Sequence, residues 1–230
     1  YILRYNRRRG KNMLNMLSIP PAMLIANIFV LLIAFTGHEF AHAWTADYFG
    51  DDTPRLNGRL TLNPLAHLDV MGSLLLIIAG FGWAKPVPIN PNTLRRHSDS
   101  ALMWVSFAGP LSNLIMAVVA AIPLRFGLFQ AENIASGQLL PTVGQILTQF
   151  VLINIVLALF NLIPIPPLDG DQIAEFFFPP SWTDWMDRYI RPYGPMALMV
   201  LVFVLPFFKI NLLSWIIWMP AYKLFQLLIF

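Results

Sequence analysis

Long stretches without a charged residue constrain the fold of this chain more than any other feature. No Asp, Glu, Lys or Arg occurs in residues 12–37, 101–124 or 133–168. The hydrocarbon core of a bilayer is about 30 Å thick, and about 20 residues of apolar helix cross it. Each of these stretches is long enough to span a membrane, whereas the shorter uncharged stretch at 192–208 is marginal by itself.

The composition also indicates a membrane protein. Apolar residues make up 57% of the 230 residues and charged residues 12%, whereas about 25% of a soluble domain is charged. We therefore predict an all-α polytopic membrane protein with about 4–6 transmembrane or re-entrant helices. No linker or soluble module interrupts the sequence, so residues 1–230 are expected to form a single integral membrane domain.

The pattern changes between the first two predicted spans. Residues 55–64 alternate like short strands interrupted by Gly58 and Pro64, which predicts a small β-like region after the first span. Residues 70–84 are apolar but too few to cross a bilayer, which favours a re-entrant segment. The next residues, 85–91, contain three prolines and are expected to be extended.

The net charge of +3 does not indicate nucleic-acid binding. Arg7, Arg8 and Arg9 lie directly before the first predicted span, where basic residues commonly flank a membrane helix. The sequence contains no basic surface interleaved with aromatic residues. Basic residues are equally numerous on both sides of that span, so the positive-inside rule gives no orientation. The absence of cysteine excludes disulfides and thiolate chemistry.

The motif that carries chemistry is His38-Glu39-Phe40-Ala41-His42 at the end of the first apolar stretch. On a helix, residues i and i+4 share a face, so His38 and His42 can bind one metal ion. Zinc lowers the pKa of a bound water toward ~7, and the Glu39 carboxylate can take its proton. Ionisable groups are costly in an apolar span and mark function there. The pattern therefore predicts a zinc hydrolase rather than helix-end histidines satisfied by backbone.

A catalytic zinc also needs a third protein ligand. The extended metzincin pattern would require Gly at position 45 and His at position 48, but this chain has Thr45 and Tyr48. Five other side chains are candidates: His67, His97, Asp47, Asp69 and Asp169. Asp47 lies about 140° from the ligand face of the helix. Asp169 ends a proline-rich bend that could return it to the metal, with Gly170 permitting the turn, but spacing alone equally fits an interfacial turn.

Three segments together resemble the signature segments of the site-2 proteases (peptidase family M50), which are intramembrane zinc metalloproteases. They are His38–His42, then Gly109-Pro110-Leu111-Ser112-Asn113, then Asn161-x-x-Pro164 with Leu168-Asp169-Gly170, in the order of that family. The resemblance covers about residues 20–175, which would form the catalytic core, and apolar helices are expected at about 192–230. Residues 54–91 resemble the compact subgroup that has no PDZ-like or other accessory soluble domain.

The resemblance implies one zinc ion per chain, bound by His38, His42 and Asp169, with Glu39 as general base. It implies that Asn113 and Asn161 bind substrate backbone or the developing oxyanion; the alternative for both is interhelical hydrogen bonding. The implied partners are a transmembrane protein or peptide substrate and membrane lipid, with no nucleic acid.

The resemblance also implies that the substrate adds as a strand near residues 59–63. The implied location is multi-pass in the cell membrane, with the active-site end toward the cytosol.

Two other functions use the same motif. A membrane zinc protease of the prenyl-protein type takes a Glu third ligand from a later helix, but Glu132 and Glu175 are expected in loops without that pattern. A non-catalytic membrane adaptor or metal-binding protein could also retain the fold. Glu39 argues against a pure metal carrier, because a carrier has no use for a base between its ligands.

Overall fold

The computed structural model of this protein describes residues 20–79, 82–210, 212 and 214–230, and helices dominate this part. In chain order its α-helices are α1 (Pro21–Tyr48), α2 (Thr53–Leu56), α3 (Val70–Ala79), α4 (Pro91–His97), α5 (Ala101–Arg125), α6 (Val143–Asn161), α7 (Asp169–Phe177), α8 (Pro180–Trp185), α9 (Gly194–Met199) and α10 (Met219–Ile229). Short 3-10 and π-helical turns continue α8 and α9. The predicted all-α fold is confirmed. The basic residues Arg7–Arg9 lie outside the described residues.

Helices α1, α5 and α6 are the three in the described part that are long and apolar enough to cross a membrane. Even α6, with 19 residues, is about 28 Å long. Local sequence sets their starts: Pro21 occupies the first turn of α1, and Thr142 with Gln145 forms a capping box at α6. The three predicted spans are therefore helices at the predicted positions.

Small residues allow these three helices to approach closely. Helix α5 packs against both α1 and α6, and α1 also contacts α6. The buried alanines of the three helices are Ala22, Ala26, Ala34, Ala43, Ala46, Ala101, Ala117, Ala121 and Ala158. Large apolar side chains such as Ile25, Phe29 and Ile33 instead point outward from α1. Small residues inside and large residues outside are typical of helices that pack within lipid.

The C-terminal helix α10 completes one end of this bundle. Ala221, Phe225 and Ile229 pack against the second half of α5 and the middle of α6. The guanidinium of Arg125 donates to the carbonyl of Leu227 at 2.8 Å, which satisfies an otherwise unpaired carbonyl at the end of α10. The C-terminal apolar residues thus cover the end of the bundle that lies away from His38.

Residues 55–64 do not form the predicted strands. Helix α2 begins with Pro54 in its first turn, and the Asp51 carboxylate accepts a hydrogen bond from the Thr53 amide at 3.1 Å. A 3-10 turn, Pro64–Ala66, follows. The strand prediction is wrong because both prolines fix φ near −65° and start helical turns. The predicted site for an added substrate strand at 59–63 therefore offers no strand edge.

The predicted re-entrant segment begins and ends at one place. Helix α3 has ten residues and is only about 15 Å long, too short to cross a bilayer. Leu68 and Ala84 form an antiparallel β-bridge, and the Lys85 amide donates to the His67 carbonyl at 2.8 Å. Among the described residues, this bridge is the only β-structure. The chain therefore returns beside the point where it left, as a re-entrant segment must.

Candidate metal centre

His38 and His42 face each other on the second half of α1. They are one helical turn apart, and their Nε2 atoms are 3.0 Å from each other. Both side chains are buried between α1 and α5. The helix therefore presents two imidazole nitrogens to one point, as the spacing predicts.

Asp169 reaches the same point from α7, which packs against α5. It is the first residue of α7, directly after the bend that follows α6. Its Oδ2 lies 3.3 Å from Nε2 of His38, and its Oδ1 lies 3.4 Å from Nε2 of His42. The three ligand atoms all lie within 4.8 Å of one another. The structure thus brings together the three residues that the family resemblance implies as zinc ligands.

The other candidate ligands have contacts elsewhere. The Asp47 carboxylate pairs with Arg55 at 2.6 Å, and the Asp69 carboxylate accepts from the Gly72 amide at 2.8 Å. The buried His67 ring contacts the Thr61 carbonyl. His97 packs edge-on against Phe49.

Glu175, the ligand that the prenyl-type alternative would need, lies in α7 rather than in the expected loop, and it pairs with Arg95 and Arg191. Glu132 lies in the exposed loop after α5. Neither glutamate belongs to the candidate metal group.

The protonation of the two imidazoles follows from their second nitrogens. Nδ1 of His38 lies 2.7 Å from Oδ1 of Asn113, and Nδ1 of His42 lies 2.7 Å from the Val105 carbonyl. Both oxygens only accept hydrogen bonds, so each Nδ1 carries a proton, and each ring in its neutral form then presents its lone pair at Nε2.

These residues fit a zinc ion. Two nitrogen lone pairs and a carboxylate face one another, and they would repel one another without a cation between them. Oδ2 of Asp169 is buried and has no hydrogen-bond donor among the described residues. Two imidazoles and one carboxylate are a ligand set that zinc takes in catalytic sites, with a fourth position left open.

Glu39 lies beside this group, and a different segment of the chain holds its carboxylate through a hydrogen bond. Its side chain is buried, and Oε2 accepts a hydrogen bond from the Val87 amide at 3.0 Å. Val87 belongs to residues 85–90, which form neither helix nor strand, as the prolines predict. The Asp51 carboxylate accepts from the Asn90 amide at 2.6 Å, and the Arg59 guanidinium donates to the Lys85 carbonyl. This segment thus positions the carboxylate next to His38.

Gly109 makes room for both imidazoles, a function that the motif does not reveal by itself. A Cβ atom at this position would lie 2.3 Å from Nε2 of His42 and 2.6 Å from Cε1 of His38. The next residue, Pro110, has no amide hydrogen for the Ser106 carbonyl one turn earlier. The neighbouring Val105 carbonyl accepts from His42. Gly109 therefore adapts α5 to the ligands on α1.

Gly170 is required for a different reason from the expected one. It is helical and is not among the described glycines with positive φ. A Cβ atom here would lie 2.4 Å from the Ile163 carbonyl oxygen and 2.5 Å from that of Leu162. The glycine thus allows α7 to start against the end of α6, which brings Asp169 to the histidines.

A group of ion pairs holds α7 in this position. Arg191 donates to Asp171 at 2.9 Å and to Glu175 at 2.6 Å, and it also pairs with Asp187. Arg95 on α4 contacts the other oxygen of Glu175 at 2.8 Å. Burial lowers the pKa of Arg191, but its carboxylate partners outweigh burial and raise it overall.

The two asparagines singled out in the sequence lie in different surroundings. Asn113 is completely buried, contacts His38, and donates from Nδ2 to Oδ1 of Asn154 at 2.8 Å. Asn161 is half-buried in the last turn of α6 and donates to the Leu157 carbonyl at 3.0 Å. Their roles toward substrate stay predictions. Asn154, equally buried, escaped the sequence analysis, although an asparagine in the middle of an apolar span is itself a signal.

Comparison with known proteins gives consistent matches. A family model described as "Peptidase family M50" matches residues 127–205, which include Asp169. The protein named "Putative zinc metalloprotease YwhC" of Bacillus subtilis is 39% identical over 206 residues, covering 88% of this chain and 86% of that protein.

Two mycobacterial relatives are more distant. "Putative zinc metalloprotease Rip2" of Mycolicibacterium smegmatis is 31% identical over 77% of this chain and 67% of that protein. The Mycobacterium tuberculosis H37Rv protein of the same name is 32% identical over 88% and 75%. No solved structure matches significantly.

Proposed function

This chain belongs to peptidase family M50, the family of the site-2 proteases, and on that premise we propose that it is a zinc metalloprotease that hydrolyses peptide bonds in or near transmembrane segments of membrane proteins. One observation carries the proposal. His38, His42 and Asp169 converge on one point beside the buried carboxylate of Glu39, within helices apolar enough to cross a membrane.

The depth of the site supports cleavage inside the membrane. Gly109, which lies against both imidazoles, is about 12 Å from the start of α5 at Ala101, counting 1.5 Å per residue. A substrate helix at that depth hides its carbonyls in hydrogen bonds within the helix, so it must unwind before it is cut. A buried site favours the reaction once the substrate has unwound, because electrostatic interactions are stronger where water is excluded.

The residues divide the chemistry between them. His38, His42 and Asp169 would hold one zinc ion, which supplies Lewis acidity toward the scissile carbonyl and acidifies water. Glu39 accepts a proton from the attacking water and delivers it to the leaving amine. The Val87 amide engages Oε2 of Glu39, so Oε1 is left to receive that proton. Asn161 donates only one described hydrogen bond, so its second N–H can bind substrate backbone.

The membrane location completes the proposal. The chain would lie in the cell membrane in several passes, with the end that carries His42 toward the cytosol. Its partners would be a transmembrane protein or peptide and the surrounding lipid.

The first experiment compares the wild type with Glu39→Gln and with Glu132→Gln. Glu132 is exposed in the loop after α5, so its substitution makes the same chemical change away from the site. Zinc content and cleavage of a model transmembrane substrate are measured on all three purified proteins. We expect one zinc per chain throughout, with cleavage lost only in Glu39→Gln, because the general base contributes about 10²–10⁴-fold.

The other outcomes separate the alternatives. Bound zinc without Glu39-dependent cleavage of any substrate would indicate a non-catalytic adaptor or metal-binding protein. Absence of zinc from the wild type would contradict the ligand assignment itself.

A further inference from the structure

A chain of buried hydrogen bonds runs from His38 through α5 into α6. Nδ1 of His38 lies 2.7 Å from Oδ1 of Asn113, and Nδ2 of Asn113 lies 2.8 Å from Oδ1 of Asn154. Nδ2 of Asn154 then donates to the Phe150 carbonyl at 2.9 Å. Both asparagine side chains are completely buried. We refer to Asn113 and Asn154 as the amide relay.

The main chain sets the direction of every bond in the relay. The Phe150 carbonyl can only accept, so the amide nitrogen of Asn154 faces it and the amide oxygen faces Asn113. Asn113 must then offer its nitrogen to Asn154 and its oxygen to His38. Consequently the His38 proton is held on Nδ1, and the lone pair on Nε2 points toward Asp169 and His42.

Asn113 has no donor left for a substrate carbonyl. Its amide carries two N–H groups, one directed at Asn154 and the other at the Ala34 carbonyl 3.5 Å away. Binding an oxyanion would break the contact with Asn154 and leave a buried acceptor unpaired, which is unfavourable. The geometry therefore favours a role toward His38 over a role toward substrate.

We propose that Asn113 and Asn154 are positioning residues that keep His38 in the tautomer able to bind zinc, with Asn154 acting through Asn113. This inference rests on the proposed function, because it concerns how a zinc ligand is held. Loss of the Asn154 acceptor would let the Asn113 amide flip and present N–H to Nδ1 of His38. That arrangement stabilises the tautomer with a proton on Nε2, which has no lone pair for a metal.

His42 provides an internal contrast. Its Nδ1 donates to the Val105 carbonyl, a main-chain group that side-chain substitution does not remove. The tautomer of His38, in contrast, is set by the side chains of the amide relay, which substitution can remove.

The test measures zinc retention rather than activity. The whole chain, purified in detergent and loaded with zinc, is titrated with a chromophoric chelator as wild type, Asn113→Leu, Asn154→Leu and the double variant. Each single variant should bind zinc about 10–100-fold more weakly, the range typical of groups hydrogen-bonded to a ligand histidine. Because Asn154 acts through Asn113, the double variant should bind zinc no more weakly than Asn113→Leu.

Two further variants separate tautomer control from general destabilisation. Thr148→Val removes another buried hydrogen-bonding group from α6, one that donates to the Gly144 carbonyl, and it should keep wild-type zinc affinity. Asn154→Asp keeps an oxygen acceptor toward Asn113 and should retain more affinity than Asn154→Leu. With cobalt in place of zinc, Asn154→Leu should lose the visible absorption bands that Thr148→Val preserves.

Three results would overturn the inference. Losses that add in the double variant would make the two residues independent, and an equal loss in Thr148→Val would reduce the effect to packing of α6. Unchanged zinc affinity in Asn113→Leu, with cleavage about 10²–10³-fold slower, would assign Asn113 to the oxyanion. A wild type that shows the expected zinc pattern but cleaves no substrate would support the relay and contradict the protease function.

Discussion

Single atoms decide whether His38 and His42 can share one ion. Both histidines belong to α1, but the space their rings fill lies against α5, where Gly109 has no side chain. The imidazole atoms of both histidines leave less room there than one carbon atom needs. Both imidazoles can therefore take these positions only because residue 109 on α5 has no Cβ atom.

A Cβ atom at position 109 should weaken zinc binding. We expect Gly109→Ala to bind zinc about tenfold or more weakly, because the new methyl group would displace the imidazoles. Zinc content after dialysis against a weak chelator measures the effect. Gly37→Ala is the matched control, since its methyl would meet only the flexible end of the Met116 side chain. Equal zinc retention by both variants would contradict this explanation of Gly109.

The site residues differ in how far the sequence predicts them. His38, Glu39 and His42 follow from spacing on one helix, which is a local property. Asp169 needs the resemblance to a family, because its approach depends on how the chain bends after α6. Asn154 could not be assigned from sequence, because α6 is apolar on all sides and its pattern does not show which face meets α5.

At the scale of elements, the extended segment 85–90 positions Glu39, the proposed general base. Charged side chains bind its main chain at three points, through Arg59, Glu39 and Asp51. Between these points Pro86 and Pro88 remove amide hydrogens that could otherwise pair with another strand. The segment is therefore fixed toward Glu39 and offers few donors on its other side.

Removing one amide hydrogen from this segment should slow the reaction without affecting the metal. Val87→Pro keeps an extended backbone but cannot donate to Glu39. We expect unchanged zinc content and cleavage reduced about tenfold or more, because an unoriented base loses part of its contribution. Val87→Ala, which removes side-chain atoms but keeps the amide, should cleave at nearly the wild-type rate. Equal rates for Val87→Pro and the wild type would rule out this role for the segment.

Secondary-structure elements could be predicted from the sequence where a single physical requirement acts on neighbouring residues. A bilayer requires a long apolar helix, and the uncharged stretches accordingly became α1, α5 and α6. The alternation at 55–64 misled because prolines at its borders start helical turns, and the side-chain pattern outside the membrane is a weaker constraint.

At the scale of the whole molecule, the bundle has two distinct ends. Ala46 at the end of α1 and Ala101 at the start of α5 belong to the same buried cluster, so these helices run in opposite directions. Ala22 at the other end donates to the carbonyl of Gln138, in the loop before α6. The metal centre is nearer the first end, because His42 contacts Val105.

Reporter cysteines can establish which end faces the cytosol, since these 230 residues contain no cysteine. Asp99 and Gln130 are exposed and lie just before and just after α5, at opposite ends of the bundle. We expect a membrane-impermeant maleimide to label Gln130→Cys in intact cells and Asp99→Cys only after lysis. The reverse pattern would place the metal-centre end outside the cytosol.

The ligands come from distant parts of the chain, and this has a consequence for the life of the enzyme. His38 and His42 are made early, whereas Asp169 follows only after α5 and α6. At typical rates of synthesis the interval is roughly 6–25 s. During that time a nascent chain can already occupy the membrane among other newly inserted helices, but it holds only two of its three ligands. The complete ligand set, and with it the proposed activity, therefore becomes possible only after residue 169 has been made.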